Sequence, residues 1–247
     1  MTDSFDEPDG IAPRGTLIVA AGRGENAAAY ARFGRRLAVD GYRVRVLDDV
    51  AADLPAATAA AGKLLVDDTL PAPKVVIGAD TGALFALRLA ADAAPGLDAL
   101  ILAGLPATPS APATRPTPAA VAGVDLGGEA WEDELDARSA CPAHRGVLGR
   151  GGVTPGALFS APITTELIEY AGYAATVPTL GLHGEDDRVS PLAEAREGYP
   201  GQLVTVAGGR HDVLNDVTHR SVAATVVLFL ERLRLGGGLP EIVRVTS

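Results

Sequence analysis

The chain is poor in the residues that would open several common routes to function. It has a single cysteine, Cys141, which excludes an intramolecular disulfide and fits a reducing compartment. Aromatic residues make up only 4% of it, with one tryptophan, so a core must be filled mainly by Ala, Val and Leu. Positive charge is outnumbered, and the net charge of −10 argues against nucleic acid or an anionic membrane surface as a partner. No apolar run is long enough to span a bilayer, so membrane insertion is not expected. The acidic start, Met1 to Glu7, lacks a basic-then-apolar leader pattern, and the expected compartment is the cytoplasm. With no internal repeat, 247 residues suit one large domain with an insertion.

Short runs rich in Val, Ile and Leu predict strands at 15–20, 43–47, 74–78, 98–103, 178–183 and 202–206. Their continuous apolar character points to strands buried on both faces, hence a mostly parallel sheet. Helical patterns fall near 26–40, 51–65, 82–93 and 217–235, and this alternation predicts an α/β, doubly wound architecture. Residues 1–13 read as a flexible arm, 14–105 and 178–247 as the core, and 106–177 as an inserted helical cap. Within the cap, Pro106–Pro118 reads as irregular, while Trp131–Leu135 and Thr164–Tyr170 read as short helices. The acidic cluster Glu129, Glu132, Asp133, Glu134 and Asp136 reads as a solvated helix face.

Chemistry concentrates at the ends of the predicted strands. Val75 to Leu84 spells a buried strand, then Gly78-Ala79-Asp80-Thr81-Gly82, then an Ala/Leu-rich helix. This is the layout of a nucleophile elbow, with Asp80 where Ser is usual. A second strand ends in His183-Gly184-Glu185-Asp186-Asp187, and a third is followed by Gly208-Gly209-Arg210-His211-Asp212. The chain order is thus Asp80, Asp187, His211, with Asp186 a rival for the acid.

These motifs resemble the α/β-hydrolase superfamily, in particular its lysophospholipase and monoglyceride-lipase-like branch. Gly22-Arg23-Gly24-Glu25 with Tyr30 is similar to that branch's His-Gly-x-Gly-Glu loop, with Ala21 at the His position, and residues 183–187 match His-Gly-x-x-Asp. The resemblance covers residues 13–110 and 175–235. It implies a triad of Asp80, Asp187 and His211, and an oxyanion hole from the backbone of Arg23 and Thr81. Families of this fold with Asp at the elbow are epoxide hydrolases and haloalkane or fluoroacetate dehalogenases, in which an aspartyl ester forms and a histidine-activated water cleaves it. Those families carry an aromatic or basic residue after the Asp, where Thr81 stands here. Cap tyrosines that protonate an epoxide would be Tyr170 or Tyr173, with Tyr199 nearby, and a halide cradle would draw on Trp131. Epoxide opening is therefore favoured over dehalogenation for a small-molecule substrate. A lysophospholipase-like esterase, Asp80 as a general base, and a non-hydrolytic metabolite-binding protein remain open alternatives. No metal or cofactor is expected: His183, His144 and His219 with Cys141 form no zinc pattern, and Gly22-Arg23-Gly24 lacks the third glycine of a dinucleotide loop.

Overall fold

A computed structural model describes residues 3–107 and 128–244. Seven strands among them form one sheet: β1 (Asp3–Phe5), β2 (Gly15–Ala20), β3 (Tyr42–Leu47), β4 (Lys74–Ala79), β5 (Ala99–Ala103), β6 (Thr179–Gly184) and β7 (Gln202–Val206). Their spatial order is β1-β3-β2-β4-β5-β6-β7, parallel throughout except for β1 against β3. Four long helices connect or flank them: α1 (Ala27–Val39), α2 (Leu54–Val66), α3 (Thr81–Ala91) and, near the carboxyl end, α9 (His219–Arg234). The boundaries lie close to those expected from the apolar runs, because each run is bounded by Gly, Pro or Asp; β7, at the edge of the sheet, is only half-buried, not buried on both faces as its apolar run suggested.

Alternate residues of each strand serve opposite faces. Val75 and Ile77 join Leu17, Val19 and Val44 in a core with Phe33 and Leu37 of α1 and Val226 and Phe229 of α9. Val76 joins Ile18, Leu100 and Leu102 in a second core with Leu65 of α2 and Leu84, Phe85 and Leu87 of α3. The chain runs from β2 outward to β3, then returns to place β4 on the other side of β2. The carboxyl ends of β2 and β4 therefore flank a topological switch point, the usual crevice for function in such sheets.

The expected flexible arm is not one over residues 3–7. Asp3–Phe5 pairs antiparallel with Val44–Val46, Glu7 and Asp6 form ion pairs with Arg43 and Arg45, and Phe5 packs over Gly34. Three residues are too few to show a strand pattern, and two carboxylates facing two arginines supply what the short ladder lacks.

The inserted segment contains α4 (Gly128–Arg138), α5 (Pro142–Val147), α6 (Ala157–Ser160) and α7 (Thr165–Ile168), and α8 (Leu192–Ala195) follows β6. The irregular stretch expected at Pro106–Pro118 lies largely outside the described residues. The insertion divides between the two cores: Leu135, Leu148 and Val153 join the α1/α9 side, and Leu167, Ile168 and Tyr173 the α2/α3 side. Its first part is also stitched to the loop after β2. Thr154 N donates to Gly24 O at 2.8 Å, and Asn26 N to Gly152 O at 3.1 Å, making an antiparallel bridge at Glu25 and Val153.

Candidate active site

The turn between β4 and α3 holds Asp80 at φ 50° and ψ −120°, a conformation that a residue with a side chain adopts only under strain. The turn demands glycine on either side. A Cβ at Gly78 would lie 2.1 Å from Gly82 O, and one at Gly82 would lie 2.0 Å from Ala20 O. Strand, helix and the β2 end therefore meet too closely for any side chain, and the strain is concentrated on Asp80.

His211 comes from the loop after β7. Its Nδ1 lies 2.8 Å from Asp187 Oδ2, and its Nε2 lies 3.5 Å from Asp80 Oδ1 with no hydrogen-bond partner of its own. Asp187 sits just past β6, where its other oxygen accepts from Val189 N at 2.8 Å and Ser190 N at 2.9 Å. Asp186, the rival acid, is exposed, and only its backbone is tied down, to Gly209 O. Geometry thus brings Asp187, not Asp186, to His211. His183 is fully buried with both nitrogens used: Nε2 donates to Ser190 O and Nδ1 accepts from Tyr199 Oη, each at 2.7 Å.

Arg23 closes over the elbow. Its backbone N and its Nε both donate to Asp80 Oδ2, at 3.0 and 2.7 Å, while Nη2 donates to Oδ1 at 2.9 Å and Nη1 to Leu158 O at 2.8 Å. Both carboxylate oxygens are therefore occupied. The cavity beside Asp80, lined also by His211, Glu25, Tyr30 and Asn215, measures about 10 Å³, room for about one water. Thr81 is buried with its hydroxyl unpartnered.

Electrostatics follow from this packing. Burial works to raise the Asp80 pKa, but the Arg23 charge, the nearby His211 and the hydrogen bonds from Arg23 outweigh it and hold the carboxyl well below its ordinary range. Burial works to lower His211, yet Asp187 and then Asp80 raise it to about 10. The resting site is thus an ionised Asp80 facing an imidazolium. Asp187 is opposed by burial and lowered by the His211 charge, so it stays ionised.

Three sequence expectations fail here. Tyr170 and Tyr173 are half-buried against the α2/α3 core, and Trp131 against the α1/α9 core, and none of them lines the cavity. The spacing of residues in the insertion could not show that its two ends pack on opposite faces of the sheet. The acidic cluster also differs from a solvated face. Glu129, Glu132 and Asp133 are exposed, but Glu134 is fully buried, accepting from Leu158 N at 3.1 Å, from Gly156 N, and from Arg138 Nη2 at 3.0 Å.

Arg138 is a member of the site that the sequence did not reveal. It is 1% exposed, and its Nη2 also donates to Arg23 O at 2.8 Å. Nη1 lies 3.5 Å from Glu25 and 3.7 Å from Asp212. Glu25 in turn accepts from Gly22 N at 3.2 Å and from Tyr30 Oη, and Asp212 pairs with His144 at 3.0 Å. Burial, then the Asp212 charge, raise the Glu25 pKa to about 7 against the pull of Arg138. Glu25, His144 and Asp212 offer ligand atoms within 4.8 Å of one another, but the Arg138 guanidinium already stands beside two of them as the local cation, so the set fits an organic cation better than a metal. The carbonyls of Ala137 and Arg138, at the end of α4, accept from His211 N and Asp212 N. The Glu134–Arg138 spacing was the available signal, yet a surface ion pair has the same spacing.

No family model matches the chain, and no curated protein sequence does. Solved structures do match its fold. A monoacylglycerol lipase from Paleococcus ferrophilus superposes with a TM-score of 0.67 at 16% identity, covering 92% of this chain and 98% of its own. An enol-lactonase from Burkholderia xenovorans LB400 gives 0.69 at 19% identity, covering 94% and 96%. A soluble variant of the monoglyceride lipase from Saccharomyces cerevisiae gives 0.68 at 16% identity, covering 94% and 91%.

Proposed function

We propose that this chain, built on the α/β-hydrolase fold, hydrolyses a small organic substrate through an ester formed on Asp80, with epoxide opening the favoured chemistry. The observation that carries the reading is the alignment of Asp187, His211 and Asp80 at a strained elbow, with the unpartnered His211 Nε2 at 3.5 Å from Asp80 Oδ1. Strain on a residue with a side chain persists where function holds it.

The proton inventory favours an epoxide. With a pKa of about 10, His211 enters the cycle as an acid. Attack of Asp80 Oδ1 on a ring carbon forms a C–O bond and breaks the ring C–O bond, and the released oxygen takes the Nε2 proton. This supply stands in for the tyrosines, which pack elsewhere. Esterification removes the Asp80 charge that helped hold the His211 proton, so the now neutral imidazole can act as a base. It takes a proton from the water that attacks Cγ, and the tetrahedral intermediate collapses by breaking Cγ–Oδ1. The product oxygen is protonated by His211, and the new Asp80 carboxyl returns a proton to His211. The sum is epoxide plus water to diol. Productive attack requires Arg23 Nη2 to leave Oδ1, so opening of the fork belongs to substrate entry.

Two other readings each have an observation behind them. The solved neighbours carry the names of lipases, a lactonase and an esterase, which favours ester hydrolysis. Attack of a carboxylate on an ester gives a mixed anhydride, however, a much less favourable intermediate than the ester made from an epoxide. The small cavity and the Arg23 clamp favour a non-hydrolytic protein whose elbow is internally neutralised.

The His211→Gln variant separates all three. It is incubated with styrene oxide, 1-bromobutane and p-nitrophenyl acetate, and intact mass and peptide mapping follow. An alkyl adduct on Asp80 is expected, from 1-bromobutane first, because bromide leaves without the proton that this variant lacks, with the epoxide adduct forming more slowly. An acyl adduct moves the assignment to the esterase, and an unmodified Asp80 with no turnover by the wild type moves it to the binding protein.

A further inference from the structure

We infer that Arg23 is a catalytic residue of the second half-reaction, its side-chain Nε and its own backbone N together forming the oxyanion hole for Asp80 Oδ2 while the aspartyl ester is hydrolysed. The inference rests on the aspartyl-ester reading above and assigns within it a role that a backbone-only hole does not contain.

The two oxygens of Asp80 are not equivalent. Oδ2 receives two donors from one residue, Nε at 2.7 Å and N at 3.0 Å, whereas Oδ1 has Nη2 at 2.9 Å and faces His211 Nε2 at 3.5 Å. Oδ1 is therefore the attacking atom, because only on its side does a proton wait for the leaving oxygen. Its attack breaks one bond, that to Nη2, and leaves both donors on Oδ2 in place. When water then adds to Cγ, the negative charge develops on Oδ2, between a backbone amide and a guanidinium already aimed at it. A donor carrying full charge stabilises an oxyanion more than a neutral amide does.

Pre-organisation is the second part of the case. The side chain is anchored beyond Asp80 by Nη1 on Leu158 O at 2.8 Å. Its main-chain carbonyl accepts from Arg138 Nη2 at 2.8 Å, and the next amide, Gly24 N, donates to Asp49 Oδ2 at 2.7 Å. Three consecutive amides, of Gly22, Arg23 and Gly24, thus each meet a different carboxylate, from Glu25, Asp80 and Asp49. The loop cannot turn to follow a moving charge, and it has no need to, since the charge arises where its donors point. In the serine form of this chemistry the hole holds an oxygen of the substrate. Here it holds an oxygen of the enzyme, so the effect of Arg23 on ester hydrolysis is independent of which substrate made the ester.

The test follows the Asp80 adduct by time-resolved intact mass in single turnovers with styrene oxide and 1-bromobutane. Wild type, Arg23→Met and Arg23→Lys are compared, with circular dichroism to establish folding. In Arg23→Met, ester hydrolysis should slow by about 10²–10³-fold. Ester formation should change by less than about tenfold, so that the adduct accumulates with either probe. Arg23→Lys keeps the charge without the planar fork and should fall between the two, and it carries the test if the Met variant does not fold. Hydrolysis in both variants at the wild-type rate, or a defect confined to ester formation, overturns the assignment. If Asp80 carries an adduct in His211→Gln but the Arg23 variants hydrolyse normally, only the Arg23 role falls. If Asp80 is never modified, the ester reading falls and takes this inference with it.

Discussion

The two parts of the inserted segment are built differently. Residues 128–160 add buried charge to their apolar contacts: Glu134 and Arg138 lie inside, tied to Arg23, Glu25, Asp212 and the amides of α6. Residues 163–177 reach it through apolar contact, with Ile163, Leu167, Ile168 and Tyr173 over α2 and α3 and no buried ion pair among the described residues. The charged part reaches the loop of Arg23 through Arg138 and Leu158 O, the loop of His211 through the carbonyls of Ala137 and Arg138, and the loop of Asp187 through Asp133 and Arg188. Hydrogen bonds to charge have direction, and direction is what loops bearing Arg23 and His211 need. Apolar contact has none, and covering a helix does not need it.

That contrast breaks most severely at Arg138. Arg138→Met should destabilise the protein by about 3–5 kcal/mol in urea unfolding, since it strands Glu134, Glu25 and Asp212 without their cation. It should also abolish adduct formation on Asp80. Leu167→Ala, in the apolar part, should cost about 2–5 kcal/mol in the same measurement, because Leu167 is fully buried. Asp80 chemistry should survive it in the folded fraction. A loss of reactivity as large as that of Arg138→Met would erase the distinction.

The next effect in size is one of pH. Folding raises the His211 pKa above its ordinary 6.5 to about 10, so the stability it contributes is fully present below about 6.5 and is lost as pH rises through about 10. The stability advantage of the wild type over His211→Gln should shrink across that window, and the His211 imidazole signals in NMR should titrate near its upper end. Titration near 6.5 would mean that the Asp187 and Asp80 charges do not reach the ring. The smallest expected effect is a null. Tyr170→Phe and Tyr173→Phe should leave adduct formation within about twofold, as neither hydroxyl lines the cavity. A tenfold loss would return the proton donor to the apolar part of the insertion.

The strands and long helices were legible because burial writes itself locally: apolar runs of strand length, stopped by Gly, Pro or Asp, have few other places to go. Asp80, Asp187 and His211 could be picked out because each follows such a run, at the end of the sheet where loops converge. What stayed hidden was relational. Arg23 was readable as a loop residue with a useful amide, but nothing local shows that its guanidinium folds back on Asp80. Glu134 looked like its neighbours Glu132 and Asp133, and only the arrival of Gly156 and Leu158 from later in the chain makes it different. Tyr170 and Tyr173 were assigned by residue type and segment, and the face of the sheet on which a segment lands is not a property of the segment. The short β1 was missed for the same reason, since its support lies in Arg43, Arg45 and Gly34.

The bridge between Glu25 and Val153 has a consequence for how this protein can change over generations. It is made by main-chain groups, Thr154 N to Gly24 O and Asn26 N to Gly152 O, and such bonds are indifferent to side-chain identity. Thr154, exposed on this bridge, can therefore drift in sequence, whereas Val153 is held by the α1/α9 core and a Cβ at Gly152 would lie 2.9 Å from Val147 O. Drift at Glu134 or Arg138 would instead leave buried charge unpaired.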